Sequence, residues 1–221
     1  MRQIAASKSA ELATSAKLPF SEKLALIHAI GPREGHLVLS ETLEHPVFEI
    51  IKRFNLALRQ GIFARYAFAG GLAVQYYGAP ISTLDADFLV VFPQTPGGFL
   101  DPSRFYEFFE SHGATKSGEC LVLHGLKFQM IPANNELATE ALEAAASVSE
   151  KGILFFVVTL EHLIALKLGA WRYKDRLHVS HLLDSGAAVD IAKLVAILDR
   201  HGLRQRWQQL LSERAAGSGE S

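Results

Sequence analysis

The sequence predicts a mixed α+β fold: a small mixed sheet flanked by helices, followed by a helical lobe at the C-terminal end. Three observations predict it. Short apolar runs stand at residues 66–69, 85–92, 120–131 and 153–158, and their length and composition suit strands. Val47, Ile50, Ile51, Phe54 and Leu58 recur at helical spacing. After Thr159 the strand pattern stops, and helical segments continue to about Arg214. The chain therefore divides into a partly helical N-terminal extension (1–45), a core that carries the sheet (46–158) and the helical lobe (159–215).

Composition narrows the class. With 49% apolar and 20% charged residues in a chain of 221, there is enough material for a sizeable core. Lys and Arg number 22 against 23 Asp and Glu, so no net charge draws the chain to nucleic acid or to anionic lipid. A polynucleotide acceptor would need only a local basic patch. The single cysteine, Cys120, excludes an internal disulfide and fits a reducing compartment. No His or Asn arrangement surrounds it, so it reads as an inert thiol. The first twenty residues lack the apolar core of a secretory signal, although their Ser, Ala and Lys content leaves an amphipathic organellar presequence open. No run approaches the ~18 apolar residues of a membrane-spanning helix. A cytoplasmic protein with no membrane partner is expected.

Taken in order, residues 1–18 are poor in large apolar side chains and read as weakly ordered. Ser21 reads as the N-cap of a helix over 21–27 that ends at Gly31-Pro32. Residues 33–45 are a polar connection with helical potential around Ser40 to Leu43. Pro46 starts a helix that ends near Gly61. Tyr66 to Ala69 is a short strand leading to Gly70-Gly71, and Leu72 to Tyr77 is a helix stopped by Gly78 and Pro80. Asp85 to Phe92 is the second strand, and Pro93 to Gly98 a loop. Asp101-Pro102 caps a helix whose Phe105, Phe108 and Phe109 pack in the core. A hairpin turns at His124-Gly125. Asn135 to Ala146 is a solvated outer helix, and the unbroken ILFFVV at 153–158 is a fully buried strand. Thr159 caps one helix through Asp175, on which Lys167, Trp171 and Lys174 share a face. His178 to Leu183 continues that helix or starts another, up to a break at Asp184-Ser185-Gly186. Val189 to His201 is the next helix. The last is anchored by Leu203, Trp207, Leu210 and Leu211. His178, His181, Asp184 and Asp190 read as solvated helix surface rather than as a metal cluster.

The chemistry concentrates between Phe68 and Phe92. In a strand, side chains alternate faces, so Asp85 and Asp87 point the same way, about 7 Å apart. Two ionised carboxylates so placed repel each other unless solvent or a divalent cation compensates. Oxygen-only ligands favour Mg²⁺ or Mn²⁺. Upstream, glycine at a strand-to-helix turn lets a phosphate approach backbone N–H groups closely.

Gly70-Gly71 followed by Asp85-x-Asp87 resembles the glycine-glycine and D-x-D motif of DNA-polymerase-β-like nucleotidyltransferases, closest to the minimal and AbiEii-toxin-like branch. Gly78-Ala79-Pro80-Ile81-Ser82-Thr83-Leu84-Asp85-Ala86-Asp87 matches that branch's G-x-P-R-x-T-x-D-x-D run, with Ile81 where arginine is common. The resemblance implies a nucleoside triphosphate donor, a Mg²⁺ or Mn²⁺ ion on Asp85 and Asp87, and triphosphate contacts from Gly70, Gly71 and Thr83. It assigns Lys167 to the outer phosphates and matches Arg172-Tyr173-Lys174-Asp175 to a second element, with Lys174 as a further phosphate contact. A third carboxylate is expected on the strand Phe128-Gln129-Met130-Ile131, and Gln129 holds its place. Glutamine is a poor proton acceptor, which leaves Asp175 as the candidate base. The acceptor would be a hydroxyl of an RNA, a protein or a small molecule such as an aminoglycoside, and a cognate toxin or antitoxin partner is implied. The alternative is a catalytically weak relative that binds a nucleotide or a partner protein.

Overall fold

The computed structural model describes residues 18–24, 45–81, 83, 85–93 and 102–217. The breaker at Gly31-Pro32, the helical potential at Ser40 to Leu43, most of the 93–98 loop and the Asp101 cap lie outside them. Among the described residues the fold is a mixed α+β arrangement built on a seven-stranded sheet.

Helix α1 (Pro46–Arg59) opens the core with proline in its first turn, and His45 Nδ1 accepts the Val47 N–H at 3.2 Å. Its apolar stripe packs on β7 and α3. Strand β1 (Arg65–Ala69) then runs into α2 (Gly70–Tyr76), and β2 (Asp85–Val91) returns antiparallel beside β1. The two glycines form the first turn of α2 itself rather than a turn before it, so the helix starts earlier than Leu72.

Helix α3 (Ser103–Ser111) leads to β3 (Thr115–Ser117), β4 (Cys120–Leu123) and β5 (Leu126–Pro132). The hairpin β4–β5 is antiparallel as expected, and β5 lies parallel to β2. Helix α4 (Glu136–Glu143), β6 (Ala146–Glu150) and β7 (Ile153–Val157) complete the sheet in the order β3-β4-β5-β2-β1-β7-β6. The core centres on Phe54, whose ring stacks on Phe88 at 3.8 Å and meets Phe63, Tyr66, Phe105, Phe109 and Phe128. Phe105 and Phe109 are thus core aromatics, as their spacing suggested.

Five expectations need correction. Ser21 is not an N-cap: the helical residues begin at Phe20, and the Phe20 and Ser21 N–H groups both donate to the Glu150 carboxylate at 2.8 Å. The Asn135 helix ends at Glu143, because Ala146 already pairs with Val157 in the edge strand β6. It is also no solvated outer helix, since Ala138, Ala141 and Leu142 are buried. Strand β7 is buried on one face only: Phe155 and Val157 are enclosed, while Leu154 alternates to the exposed side. Leu203, Trp207 and Leu210 anchor the last helix, α8 (Arg204–Gly217), but Leu211 falls off that stripe and is exposed.

The fifth correction shapes the site. The helix from Leu160 does not run through to Asp175. It ends as α5 (Leu160–Ala170) at Trp171, whose backbone is left-handed (φ 56°), and α6 (Tyr173–Asp184) begins two residues later. Arg206 Nη1 caps the freed carbonyls of Leu168 and Gly169 at 2.8 and 2.6 Å, and the Arg176 and Arg206 guanidinium groups lie over the Trp171 ring. These contacts offset the roughly 1 kcal/mol that a left-handed non-glycine residue costs. Lys167, Trp171 and Lys174 therefore share no helix face. Helix α7 (Ile191–Arg200) follows, capped by Asp190. The Glu161 carboxylate ties α5 to it by accepting the Asp190 N–H at 3.1 Å and pairing with Lys193 at 3.0 Å.

Candidate active site

Asp85 and Asp87 stand on one face of β2, both partly exposed, while Ala86 and Phe88 between and beyond them are buried in the core. The β1–β2 register sets Asp87 opposite Ala69, the residue before the glycine pair. That register explains the first glycine. Gly70 has φ +60°, and a Cβ there would lie 1.7 Å from Asp87 Oδ2, so the carboxylate sits against bare backbone. Gly71 serves the same purpose towards Thr83, whose Oγ1 a Cβ would meet at 2.4 Å. The Thr83 hydroxyl in turn donates to the Asp85 carbonyl at 3.1 Å. The glycines, Thr83 and the two aspartates therefore form one interlocked unit. Ile81, by contrast, is buried, and its carbonyl accepts from Gln75 Nε2 at 2.8 Å.

On the neighbouring strand the parallel register pairs Asp85 with Lys127 and Asp87 with Gln129. Gln129 Nε2 donates to Asp87 Oδ1 at 2.6 Å. Its Oε1 is turned to Cys120, whose thiol donates at 3.9 Å. The place where a third carboxylate would stand thus holds a hydrogen-bond donor aimed at Asp87.

The break at Trp171 brings the second half of the site together. On a straight helix, residues eight apart lie about 12 Å apart along the axis, out of reach of a direct bond. Here Lys167 Nζ donates to Asp175 Oδ1 at 3.0 Å, and Arg172 Nε donates to Asp175 Oδ2 at 2.6 Å. Lys167 is 7% exposed and Asp175 0%. Burial alone would raise the Asp175 carboxyl, but the hydrogen bonds and charges of Arg172 and Lys167 outweigh it and hold the group below the ordinary carboxylate range. Asp175 therefore has both oxygens engaged and no exposed surface, and Lys167 is committed to it.

Arg172 is the cation that faces outward, with its side chain 61% exposed. Its guanidinium is favoured first by the bond to Asp175 and to a smaller extent by the charge of Asp87. Helix α2 packs against both α5 and α6, joining the halves. Lys174, next to this pair, is exposed. His178, one turn further along α6, is pushed down to about 4 by burial and then by the Lys167 charge, and among the described residues its buried Nδ1 has no hydrogen-bond partner.

Sequence reasoning did not anticipate the outward role of Arg172, because it depends on the left-handed Trp171. It also gave Cys120 no neighbour, and only the hairpin register sets that thiol beside Gln129. Among the described residues, no group of three or more His, Cys, Asp or Glu side chains is arranged to hold a metal ion. Asp184 pairs with Arg214 at 2.6 Å and Asp190 caps α7. No described helix is long and apolar enough to cross a membrane.

No family model matches the sequence, and no curated protein sequence matches it significantly. Solved structures that align with the fold include the following three. The antibiotic-resistance factor ANT(2'')-Ia in solution is 14% identical over 77% of this chain and 97% of its own, with a TM-score of 0.46. An antigenic nucleotidyltransferase-like protein from Paracoccidioides brasiliensis is 12% identical over 76% and 91%, with a TM-score of 0.47. ANT(2'')-Ia in complex with adenylyl-2''-tobramycin is 14% identical over 74% and 99%, also at 0.47. Likeness at this level fixes neither a family nor a substrate for this chain.

Proposed function

We propose that the chain binds a nucleoside triphosphate together with Mg²⁺ or Mn²⁺ and moves its nucleoside monophosphate to a hydroxyl acceptor. One observation carries the reading: the Asp87 carboxylate is held against the Cβ-less backbone of Gly70, on a face it shares with Asp85. A metal-ligating carboxylate pair and a backbone that a phosphate can approach closely are thereby a single construction. Two carboxylates suit Mg²⁺, which commonly takes one or two from protein and completes its octahedron with substrate phosphates and water. When bound, the ion would offset charge on the phosphoryl group under attack and on the departing pyrophosphate.

In this reading Gly70, Gly71 and Thr83 shape the phosphate seat. Asp175 acts as a positioning residue: anchored by buried Lys167, it aims the Arg172 guanidinium, and Arg172 with exposed Lys174 supplies positive charge to the outer phosphates. Lys167 then serves the phosphates through Asp175 rather than by contact. With both oxygens bound, Asp175 is poorly placed to take the acceptor's proton.

A second reading, a catalytically weak protein of the same fold that binds a nucleotide or a partner, is favoured by Gln129 donating to Asp87. The two separate in one assay series. Triphosphate binding that requires Mg²⁺ and disappears in Asp85→Asn/Asp87→Asn supports both, and pyrophosphate release with cell extract as acceptor supports the first alone. Absence of Mg²⁺-dependent binding in the wild type refutes both nucleotide readings and leaves only the partner-binding form of the second. An AbiEii-like toxin–antitoxin role with a cognate partner in the cytoplasm is a further part of the proposal. Its test is whether the adjacent gene's product co-purifies with the chain.

A further inference from the structure

The face that carries Asp85 and Asp87 is completed by β5. In the parallel β2–β5 register Lys127 stands opposite Asp85 and Gln129 opposite Asp87, so these side chains emerge on the same side of the sheet. What β5 adds is therefore a cation and a neutral amide, and no anion. The orientation of the amide is fixed by electrostatics. An oxygen of Gln129 placed 2.6 Å from Asp87 Oδ1 would repel it, so Nε2 takes that position and Oε1 turns to the Cys120 thiol. The amide hydrogens, with their partial positive charge, point at Asp87 Oδ1, so that oxygen faces a donor rather than an open position.

Paired-cation sites for phosphoryl transfer hold their ions about 3.5–4 Å apart, and carboxylates must offset their mutual repulsion. On this face there are two carboxylates, a lysine from the next strand and an amide donor. We propose that Gln129 restricts the site to a single divalent cation, the one that arrives with the triphosphate, by occupying the second cation's place at Asp87 with a hydrogen-bond donor. The inference rests on the nucleotide reading above and specifies its metal content. Such a site binds and orients a triphosphate but gives the acceptor hydroxyl no ion of its own.

Electron paramagnetic resonance of Mn²⁺ titrated into the full chain with a non-hydrolysable triphosphate analogue tests this, with the analogue alone as reference. The wild type should hold one Mn²⁺ per chain. Gln129→Glu, which replaces the donor with a third carboxylate, should hold two, and Gln129→Met should still hold one. Two ions in the wild type, or one in a folded Gln129→Glu, overturns the inference while leaving the nucleotide reading intact. Should Gln129→Glu not fold, the wild-type count decides alone. A wild type that retains neither the analogue nor Mn²⁺ removes the nucleotide reading, and this inference with it.

Discussion

Replacing Asp175 by Asn tests the second half of the site. Asp175 has no exposed surface and receives Lys167 Nζ at 3.0 Å and Arg172 Nε at 2.6 Å. The substitution keeps the shape, removes the charge and turns an amide N–H towards one of two cations. Most of the cost falls on Lys167, buried and left without its counter-ion, since breaking a buried pair from one side costs about 3–5 kcal/mol. Arg172 adds little, because an exposed guanidinium is rehydrated at a cost of roughly 0–1 kcal/mol. Urea unfolding followed by circular dichroism at pH 7 should therefore show Asp175→Asn destabilised by about 3–5 kcal/mol, a midpoint shift of roughly 1–2 M. The double variant Lys167→Met/Asp175→Leu should recover to within about 1 kcal/mol of wild type, because an apolar pair of similar size needs no counter-charge. A cost below about 1 kcal/mol for Asp175→Asn, or no recovery in the double variant, would refute the account of Asp175 as a buried anchor.

Other outcomes follow from the same contacts. Gly70→Ala should abolish Mg²⁺-dependent triphosphate binding, measured calorimetrically, because its Cβ would displace the Asp87 carboxylate and φ is +60°. Phe54→Ala should cost about 3–5 kcal/mol in urea unfolding, since its ring fills the centre of the core. Acidification should weaken the fold in two stages. His178 is held neutral down to about 4, so below its ordinary 6.5 the unfolded chain binds a proton that the native chain does not, and stability falls between those values. Asp175 and Glu140 are both depressed, Glu140 to about 2 chiefly by its bond to Arg200, so their contribution is complete above the ordinary carboxylate range and is lost below it. A stability–pH profile of His178→Gln should be flatter between about 6.5 and 4, and that of Glu140→Gln flatter below about 4.

The sheet's centre was legible because β1, β2, β4 and β5 are short, strongly apolar runs bounded by glycine or charge. Strand β6 was not, because ASVSE at a sheet edge has two half-buried side chains, Val148 and Glu150, of which only one is apolar. The limits of α5 escaped for a different reason. Nothing in Gly169-Ala170-Trp171-Arg172 marks a helix stop at tryptophan, and the left-handed Trp171 is held by Arg206, thirty-five residues later. That tertiary contact decides where Lys167, Arg172 and Asp175 meet, so the sequence could bring them into one neighbourhood without revealing that Lys167 turns inward and Arg172 outward. The Gly70–Asp87 contact was foreshadowed by the motif, but the reason for glycine, a carboxylate 1.7 Å from any Cβ, appears only with the strand register.

In the proposed reading the β2 carboxylates and the Gly70-Gly71 backbone form one metal–triphosphate seat. Isothermal titration calorimetry of a non-hydrolysable triphosphate analogue, with and without Mg²⁺, tests it most directly when wild type and Asp85→Asn/Asp87→Asn are compared. Binding to the wild type should need Mg²⁺, and the double variant should bind at least a hundredfold more weakly, a loss of about 2.7 kcal/mol or more. Equal affinity in the two proteins, or wild-type binding indifferent to Mg²⁺, would contradict it.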